Sequence, residues 1–571
     1  MKLSDYIADF IYTQGVTHVF EVVGGMITHL LDSMYRRGDV QIVSVHHEQA
    51  AAFAADGFSR ITCIPGVAMA TSGPGAINLL TGIGSCFFDS IPTVFITGQV
   101  NRAEMKGERS VRQLGFQETN IVDMAKPITK AAWCLTSPEE VPAMLEQAFQ
   151  IALSDRPGPV LLDIPMDVQR AEISVKKQLK KVRAINSECI GQVDLRLLIK
   201  QLCEAKRPLI LAGGGLHSAH AMGSFRQFVD QIGVPVVNSL MAVDALPFSH
   251  PLRVGLLGTY GNRWVNLAIG EADFLLVLGS RLDIRQTGAE IEAFKGNRVI
   301  YHVDCDSSEV NNRIKGCEPV ICQLRSFFTE ASAFSSGWTL PDRSSWLSRI
   351  AELRKTWPDI AELKNIPGIN PNIFMHQLSQ CSPHASAYVV DVGQHQMWAA
   401  QSIELLASQR FITCGGMGAM GSALPLAIGA ACALPREPVV VVAGDGGFQL
   451  NIQELQTIVQ HHLPIKIVII NNKAYGMVRQ FQESYFEERY QSTIWGFSAP
   501  DFASVAQAYN IPAYSIQTPA EVERGLKKLW EDPRSSFLLQ VFIDTKANVY
   551  PKIAFGLPLT EMEPFSKPRE L

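Results

Sequence analysis

Short, continuous runs of apolar residues recur along the chain and alternate with segments of helix length. Such runs are rich in β-branched residues, and most of them end in Gly, Asp, Asn or Pro; examples are VQIVSV (40–45), TVFITG (93–98), FLLVLG (274–279) and VVVVAGD (439–445). A strand that is apolar at nearly every position is buried on both faces, which is typical of a parallel sheet covered by helices. The pattern therefore predicts an α/β fold that is repeated several times.

Two changes in composition divide the chain into units of domain size. A lysine-rich stretch at 176–181 has the composition of a solvated linker, and a second break, with several Ser, Pro and Trp residues, lies near 335–370. We predict three doubly wound parallel-sheet domains and a short tail that forms a flexible arm or a lid. These four segments are residues 1–175, 190–335, 370–550 and 551–571.

Composition and charge exclude several classes of protein. Of the 571 residues, 47% are hydrophobic and 18% are charged, which is the balance of a folded globular chain. The net charge of −5 offers no dense cationic face for nucleic acid. Eleven cysteines without a C-x-x-C pair indicate reduced thiols rather than a disulfide frame or a zinc site. Because no apolar signal core or uninterrupted apolar span is evident, we expect a cytoplasmic protein without membrane contact.

A motif pair in the third predicted domain suits a cation and a phosphate. The run VVVVAG ends in Gly444, followed by Asp445, Gly446 and Gly447, and the next buried run, IKIVII, leads into two asparagines that end with Asn472. Parallel strands joined by one crossover end at the same sheet edge, so Asp445 and Asn472 are expected to converge. Their oxygens suit Mg²⁺, and the glycines leave room for an anion at a helix start. The first motif alone would more often be a plain glycine-rich turn.

This motif pair resembles the signature of the thiamine-diphosphate enzymes. The resemblance implies thiamine diphosphate and Mg²⁺ as cofactors, with the metal held by Asp445, Asn472 and the backbone carbonyl of Ala474. The segment VVDVGQHQ resembles another diphosphate-contacting loop of the same family, which implies Gln394 and His395 as anchors.

A glutamate in the first domain fits the acid that thiamine catalysis needs. Glu48 follows an apolar run and opens a helix-like stretch of small apolar residues. In isolation, such a residue is more typical of a helix start stabilised by the helix dipole, and Ala51 excludes the zinc pattern H-E-x-x-H. The family resemblance implies that Glu48 hydrogen-bonds the cofactor's pyrimidine and acts as an acid–base relay. The turn SGPGAIN, which contains Gly73 and Asn78, is a second match in this domain.

The resemblance covers nearly the whole chain and is closest to the catalytic subunits of acetohydroxyacid (acetolactate) synthases. Matching segments are EVVGG, GFQET, RPGPVLLDIP, VGQHQMWAAQ, GGMGAMG, NIQELQTI and YGMV. The resemblance implies Gln117 as a second catalytic residue, with Phe116 beside it on the facing chain. It also implies Val478 in the substrate pocket and Met420 beneath the cofactor. The residues implied to contact thiamine diphosphate are Gly25, Gly73, Asn78, Gln394, His395, Met420, Gly444, Gly446, Gly447 and Met477.

The middle domain resembles the flavin-holding domain of these synthases. Matching segments are AGGG, SLMAVDALP, LLGTYGN, GSRLDIRQTG and HVDCDSSEV. The resemblance implies a bound FAD that performs no net redox chemistry. The residues implied near this FAD are Gly213, Gly214, Arg281, Arg285 and Asp304. In one departure from the family, Gln323 stands where an Asp would contact the ribose.

Two further departures affect the acceptor substrate. Met166 stands in place of the family's substrate-channel Lys, and Phe481 stands in place of its acceptor-selecting Trp. The loss of a cation and the larger pocket would both loosen recognition of a 2-keto-acid acceptor. Neutral drift within an acetolactate synthase is the other interpretation, and both stay open.

The resemblance implies a thiamine-diphosphate-dependent decarboxylation of pyruvate or a related 2-keto acid, followed by carboligation to an acceptor carbonyl. One alternative is a flavin-containing carboligase that adds an acetyl branch to a nucleotide-linked keto sugar or another ketone. A further alternative is a pyruvate oxidase. The resemblance also implies a homodimer or homotetramer with the active site at the subunit interface, and a regulatory subunit is an additional candidate partner.

Overall fold

The computed structural model describes residues 1–174, 179–186, 194–335 and 341–569. It contains three α/β domains, each built on one six-stranded sheet whose neighbouring strands are all parallel. The predicted fold class is therefore confirmed. The first half of the predicted lysine-rich linker lies outside the described residues.

The first domain contains strands β1 to β6 and helices α1 to α8. The strands are His18–Val22, Gln41–Ser44, Gly66–Ala70, Thr93–Gln99, Ala131–Cys134 and Pro159–Pro165. The helices are Leu3–Thr13, Thr28–Arg37, Glu48–Thr62, Pro74–Asn78, Leu80–Asp89, Ile121–Ala125, Val141–Leu153 and Met166–Gln169. The strand order β2-β1-β3-β4-β6-β5 brings the loops after β2 and β3 to the same edge of the sheet, where α3 and α4 begin.

The central domain contains strands β7 to β12 and helices α9 to α15. The strands are Pro208–Ala212, Val236–Asn238, Arg253–Leu256, Phe274–Leu278, Val299–Asp304 and Glu318–Ile321. The helices are Leu195–Glu204, Gly215–Ser218, Met222–Ile232, Arg263–Glu271, Ile284–Thr287, Ile291–Lys295 and Leu324–Ser335. The strand order is β12-β11-β10-β7-β8-β9, so the winding reverses between β7 and β10, where a cleft can open at the carboxyl edge. Helix α16 (Ser344–Thr356) leads from this domain towards the third one.

The third domain contains strands β13 to β18 and helices α17 to α24. The strands are Ala387–Val390, Arg410–Thr413, Val439–Gly444, Ile465–Asn471, Ala513–Ile516 and Phe537–Phe542. The helices are Pro371–Gln380, Gln394–Ser402, Ala423–Ala433, Asp445–Phe448, Leu455–Gln460, Gly476–Tyr485, Phe502–Ala508 and Val522–Leu529. In the order β14-β13-β15-β16-β18-β17, strands β15 and β16 are neighbours, as the single crossover between them requires.

Short 3₁₀ helices complete the domains. They are Gly25–Ile27, Arg102–Glu104, Lys126–Ile128, Leu240–Ala242, Asp359–Ala361, Gln449–Glu454 and Pro519–Glu521. The boundaries predicted for the domains stay predictions, although all three sheets fall within them.

The C-terminal tail, expected to be a flexible arm or a lid, is packed against the central domain. Two short strands, β19 (Lys552–Ile553) and β20 (Met562–Glu563), pair in antiparallel fashion. Ile553 and Met562 are buried in the apolar cluster of the central domain, and the buried ion pair between Lys552 and Glu563 joins the two strands. Burial of these apolar side chains holds the segment against the central domain.

Helices α3 and α19 join the first and third domains through an unusually close contact. A Cβ atom on Gly429 would overlap the Ala54 carbonyl oxygen and lie 2.8 Å from the Phe58 nitrogen, and one on Gly57 would overlap the Leu426 carbonyl. The absence of a side chain at these two glycines therefore lets the helix backbones touch.

No helix in the described part of the chain is long and apolar enough to cross a membrane.

Candidate active site

The two motifs of the third domain meet at the carboxyl edge of its sheet. Asp445 follows β15 directly, Asn472 follows β16, and the two strands pair in register up to Gly444 opposite Ile470. Backbone N–H groups of the loop that follows Asn472 lie close enough to the Asp445 carboxylate to stabilise its charge. The convergence expected from topology alone is therefore present.

The environment of Asp445 fits a bound cation. The side chain is 2% exposed; its Oδ1 accepts the Gly446 N–H at 2.9 Å, while its Oδ2 has no hydrogen-bond partner among the described residues. Burial outweighs the backbone donors and raises the pKa of this carboxyl to about 7. A cation at Oδ2 would satisfy the orphaned oxygen and favour the charged form.

The neighbouring oxygens suit a hard metal ion rather than zinc. Asn472 is buried and holds its amide between two partners: its Nδ2 donates to Gln394 Oε1 at 3.1 Å, and its Oδ1 accepts the Ala474 N–H at 3.2 Å. Among the described residues, no cluster of three or more His, Cys, Asp or Glu side chains could hold a metal. A metal bound at Asp445 would thus draw on amide, carbonyl and phosphate oxygens, which is the chemistry of Mg²⁺.

The glycines of the turn have an internal role that sequence reasoning missed. A Cβ atom on Gly446 would lie 2.8 Å from Cδ1 of Tyr475, and one on Gly447 would overlap a carboxylate oxygen of Asp391. The side-chain-free positions that were expected to admit a ligand are therefore needed first for packing against the protein itself.

Gln394 and His395 begin α18 beside this turn. Gln394 lies between Asn472 and Gln480. It accepts a hydrogen bond from Asn472, and its own Nε2 donates to Gln480 Oε1 at 3.2 Å. The His395 ring packs against Gly444, and burial lowers its pKa to about 3. The imidazole is therefore neutral, and its buried Nε2 has no partner among the described residues. A neutral ring can accept or donate one hydrogen bond but adds no charge to the site.

The glycine-rich loop at 415–421 carries Met420 and is fixed at its end by a buried acid. Asp391 accepts the backbone N–H groups of Gly421 at 3.0 Å and Ser422 at 3.1 Å. Burial raises the pKa of Asp391 to about 6. Sequence reasoning did not single out this residue; its position directly after β13, in the quoted VVDVGQHQ segment, was the available signal. Met420 itself is partly exposed.

In the first domain, the structure brings together most of the predicted pyrimidine-side residues. Glu48 is the first residue of α3, and its Oε2 accepts the Nδ2 of Asn78 at 2.9 Å. Gln117 adopts a left-handed φ of 64° and packs its side chain against Gly73, so these two sites are in contact. A Cβ on Gly75, in the same predicted turn, would lie 3.1 Å from Glu48 Oε1, so the absence of a side chain there leaves room for the carboxylate.

Several predicted pocket residues lie on the open surface of the single chain. The exposed fractions are 80% for Phe116, 54% for Val478 and 47% for Phe481, whereas Met477 is only partly exposed. A Cβ on Gly25 would meet nothing within 4 Å, so the chain itself gives no packing reason for this glycine. Val478 and Phe481 lie three residues apart on α22 and so form neighbouring exposed apolar side chains, as on a surface that another molecule covers.

Met166 begins the short helix α8 and is partly exposed. The next residue, Asp167, forms an ion pair with Arg102, whose Nε lies 2.7 Å from its Oδ2. The position expected to carry a cation in related enzymes is thus apolar, and the neighbouring arginine is already paired with a carboxylate.

A large cleft lies between all three domains at the carboxyl edge of the central sheet. It encloses about 1820 Å³ of space, including its opening to solvent. Four of the predicted flavin-site residues line it, together with Gln323: Gly214, Arg281, Arg285 and Asp304. Burial raises the pKa of Asp304 to about 6. Gly213 is not part of the lining. A Cβ atom on Gly213 would overlap the backbone of Gly279, so this glycine instead allows the chain after β7 to lie against the chain after β10.

Comparison with protein families agrees with this arrangement. The N-terminal TPP binding domain of thiamine pyrophosphate enzymes matches residues 1–124, their central domain matches 195–331, and their C-terminal TPP binding domain matches 391–540. The chain belongs to the thiamine pyrophosphate enzyme family.

Over nearly its full length, the chain is similar to acetolactate synthase large subunits. It is 34% identical to that of Lactococcus lactis, covering 96% of this chain and 93% of the relative. It is 35% identical to the isozyme 2 large subunit of Escherichia coli, covering 98% and 99%, and 34% identical to a probable large subunit of Methanocaldococcus jannaschii, covering 98% and 95%. The predicted family and enzyme class, a thiamine-diphosphate-dependent enzyme resembling acetolactate synthase, are confirmed.

Proposed function

We propose that this enzyme decarboxylates pyruvate or a related 2-keto acid and joins the remaining acyl unit to the carbonyl group of an acceptor. The observation that carries this proposal is the buried, half-satisfied carboxylate of Asp445 beside the loop of Asn472, in a chain similar throughout to acetolactate synthase large subunits. Thiamine diphosphate, when bound, supplies the carbanion that attacks the keto carbon and the electron sink that lets CO₂ leave.

The third domain would bind the diphosphate end of the cofactor. Asp445, Asn472 and the backbone carbonyl of Ala474 would hold Mg²⁺, which in turn would bind phosphate oxygens. His395 would direct its unpartnered Nε2 towards the diphosphate as a neutral hydrogen-bonding group, and Gln394 would keep the Asn472 amide in place. Met420 would support the cofactor from the glycine-rich loop.

The first domain would hold the proton that the reaction moves. Glu48 would bind the pyrimidine nitrogen of the cofactor, and Asn78 would fix the orientation of the carboxyl group through Oε2 while Oε1 stays available. Gln117, held in a left-handed conformation against Gly73, would be placed by the same cluster to contact the substrate.

Two copies of the chain would complete the pocket. Phe116, Val478 and Phe481 are exposed in one chain although all three are expected beside the substrate, and a second copy would cover them. A homodimer, alone or paired into a homotetramer, would then carry two active sites at its interface. A regulatory subunit is a further candidate partner.

The large cleft would hold FAD. It lies where the winding of the central sheet reverses, and Gly214, Arg281, Arg285 and Asp304 all line it. Arg281 and Arg285 would contact the flavin end, and Asp304 would contact the ribose. The cysteines in the described part of the chain form no disulfide, which supports a reducing, cytoplasmic location.

A second candidate function concerns the acceptor. Met166 offers no cation for a second carboxylate, and Arg102 nearby is paired with Asp167. This favours an acceptor without a carboxylate, such as a nucleotide-linked keto sugar that would receive an acetyl branch. Decarboxylation and the roles of Glu48 and Asp445 would be the same in both reactions.

Product identification tests these proposals. Purified protein with pyruvate, thiamine diphosphate, Mg²⁺ and a panel of 2-keto acids and keto sugars should release CO₂ and yield a ligated product, identified by mass spectrometry. Glu48→Gln should still bind thiamine diphosphate but release no CO₂; normal decarboxylation by this variant would refute its assigned role. Anaerobic bleaching of bound flavin by pyruvate would instead indicate an oxidase.

A further inference from the structure

A buried acid–arginine–acid cluster lies where the first and third domains meet. Arg60, on α3, donates from Nε to Asp56 Oδ1 at 2.6 Å and from Nη2 to Asp89 Oδ2 at 2.9 Å. The three side chains are at most 6% exposed. Two carboxylates and one guanidinium carry a net charge of −1 when all are ionised, and such a charge is stable in the interior only if further donors meet it.

Those donors come from the third domain. Asp89, the last residue of α5, accepts the N–H of Gly415 at 3.2 Å and that of Gly416 at 2.6 Å. Arg60 donates to the Thr413 carbonyl oxygen at 3.2 Å, so the cluster holds the chain directly after β14. Hydrogen bonds to an ionised acceptor such as Asp89 are about twice as strong as neutral ones.

The sequence of the loop is adapted to this contact. A Cβ atom on Gly416 would lie 2.8 Å from Cβ of Phe88, closer than real Cβ atoms come without a shift, and would make a tight contact of 3.0 Å with Asp89 Oδ1. Only glycine therefore lets the backbone reach the carboxylate without displacing it.

Asp89 and Asp391 bind opposite ends of one loop. Asp89 binds its beginning, and Asp391 binds its end. The loop runs from Gly415 to Gly421 and carries Met420 between the two anchors. Asp391 belongs to the third domain itself, whereas Asp89 reaches it from the first domain. The loop that carries Met420 is thus positioned by two domains together.

We propose that Asp89 is a positioning residue for the thiamine cofactor. Held by Arg60, it fixes the first two N–H groups of the loop and so sets the place of Met420 beneath the cofactor. This proposal rests on the proposed function, since Met420 contacts the cofactor only in that assignment. Loss of one hydrogen bond to a charged group corresponds to roughly 10- to 100-fold in an equilibrium constant, which sets the expected scale.

The first test needs no cofactor. Hydrogen–deuterium exchange of the cofactor-free protein should be faster at Gly415 and Gly416 in Asp89→Asn by about 10-fold or more, because the charged acceptor is lost. Asp123→Asn, which removes an exposed carboxylate of the same domain, is the matched control and should leave this peptide unchanged. Exchange at wild-type rates in Asp89→Asn would overturn the proposal.

The second test measures binding. Titration of the protein with thiamine diphosphate in the presence of Mg²⁺, followed by tryptophan fluorescence, should give an affinity about 10-fold lower for Asp89→Asn and unchanged for Asp123→Asn. Gly416→Ala displaces the loop without removing a charge and should weaken binding likewise. It carries the test if Asp89→Asn fails to fold.

The outcomes separate the two levels of inference. If the wild-type protein binds no thiamine diphosphate, the proposed function fails, while the exchange experiment still decides whether Asp89 holds the loop. If Asp89→Asn only lowers the thermal unfolding midpoint, with exchange at Gly415 and Gly416 and affinity unchanged, Asp89 is merely structural and the proposal is wrong.

Discussion

Replacing Gly429 by Ala should separate the two helices that join the first and third domains. The added Cβ would overlap the Ala54 carbonyl oxygen and lie 2.8 Å from the Phe58 nitrogen, and both are backbone atoms of α3. Backbone in the middle of a helix cannot rotate away as a side chain can, so α3 and α19 must move apart as bodies. Such overpacking costs about 1–3 kcal/mol, and the helix propensity gained by Ala returns at most about 1 kcal/mol. A net loss of stability is therefore expected.

The movement should also reach the candidate active site. Glu48 is the first residue of α3, and the loop that carries Met420 leads into α19 through Ser422. Displacement of either helix changes the position of a group proposed to contact the cofactor. We therefore expect Gly429→Ala to lower both the thermal unfolding midpoint and the rate of CO₂ release, measured by calorimetry and by a coupled assay on the same preparation.

Gly223→Ala is the matched control for this experiment. Gly223 lies near the start of α11 in the central domain, and a Cβ there would meet nothing within 4 Å. Only the propensity gain remains at this site, so its unfolding midpoint should stay equal or rise. A Gly429→Ala variant as stable and active as wild type, or a Gly223→Ala variant equally damaged, would refute the packing argument.

Three further predictions concern pH, metal binding and substrate choice. Burial of His376 opposes its protonation, but the carboxylates of Asp359 and Glu404, 2.9 and 2.8 Å from its ring, outweigh burial and raise the pKa of His376 above its ordinary 6.5. These ion pairs should contribute fully to stability below pH 6.5, and their contribution should be lost as pH rises through the folded-state pKa. The unfolding midpoints of wild type and His376→Gln should therefore converge at high pH. Asp445→Asn should weaken Mg²⁺-dependent binding of thiamine diphosphate by at least about 10- to 100-fold in calorimetric titration, since it removes the only carboxylate among the proposed ligands. Phe481→Trp should narrow the pocket and lower kcat/KM for a bulky acceptor about 10-fold more than for pyruvate, measured by product analysis.

Topology made the convergence of the proposed metal ligands predictable from sequence. Asp445 and Asn472 each follow an apolar run, and a single crossover between neighbouring parallel strands leaves them no other place than one sheet edge. The three sheets were also predictable, because strands that are buried on both faces leave continuous apolar runs in the sequence. The order of strands within each sheet was not, since it depends on contacts between segments far apart in the chain.

Contacts between domains were the part that local patterns could not reveal. Gly429 and Gly57 are ordinary residues of small-residue helices until α3 and α19 are placed side by side. Asp89 is likewise one of many acids in the sequence, and only the fold shows that it meets Gly415 and Gly416. The packing of the tail was not predicted for a related reason: its few apolar residues, including Ile553, find their partners in a domain far away in sequence.

The position of Glu48 is determined within its own chain, before any second copy binds. The residues on either side of it are fixed by the third domain: the N–H of His46 donates to Glu454 Oε1 at 3.0 Å, and Gln49 Oε1 accepts the Nδ2 of Asn451 at 3.1 Å. That same Nδ2 donates to the Gly421 carbonyl oxygen at 2.8 Å. The start of α3, which carries Glu48, and the end of the loop proposed to support the cofactor therefore share the side-chain amide of Asn451. Even if Glu48 serves a cofactor bound mainly by a partner subunit, a shift in its own chain's loop must alter how that acid is presented.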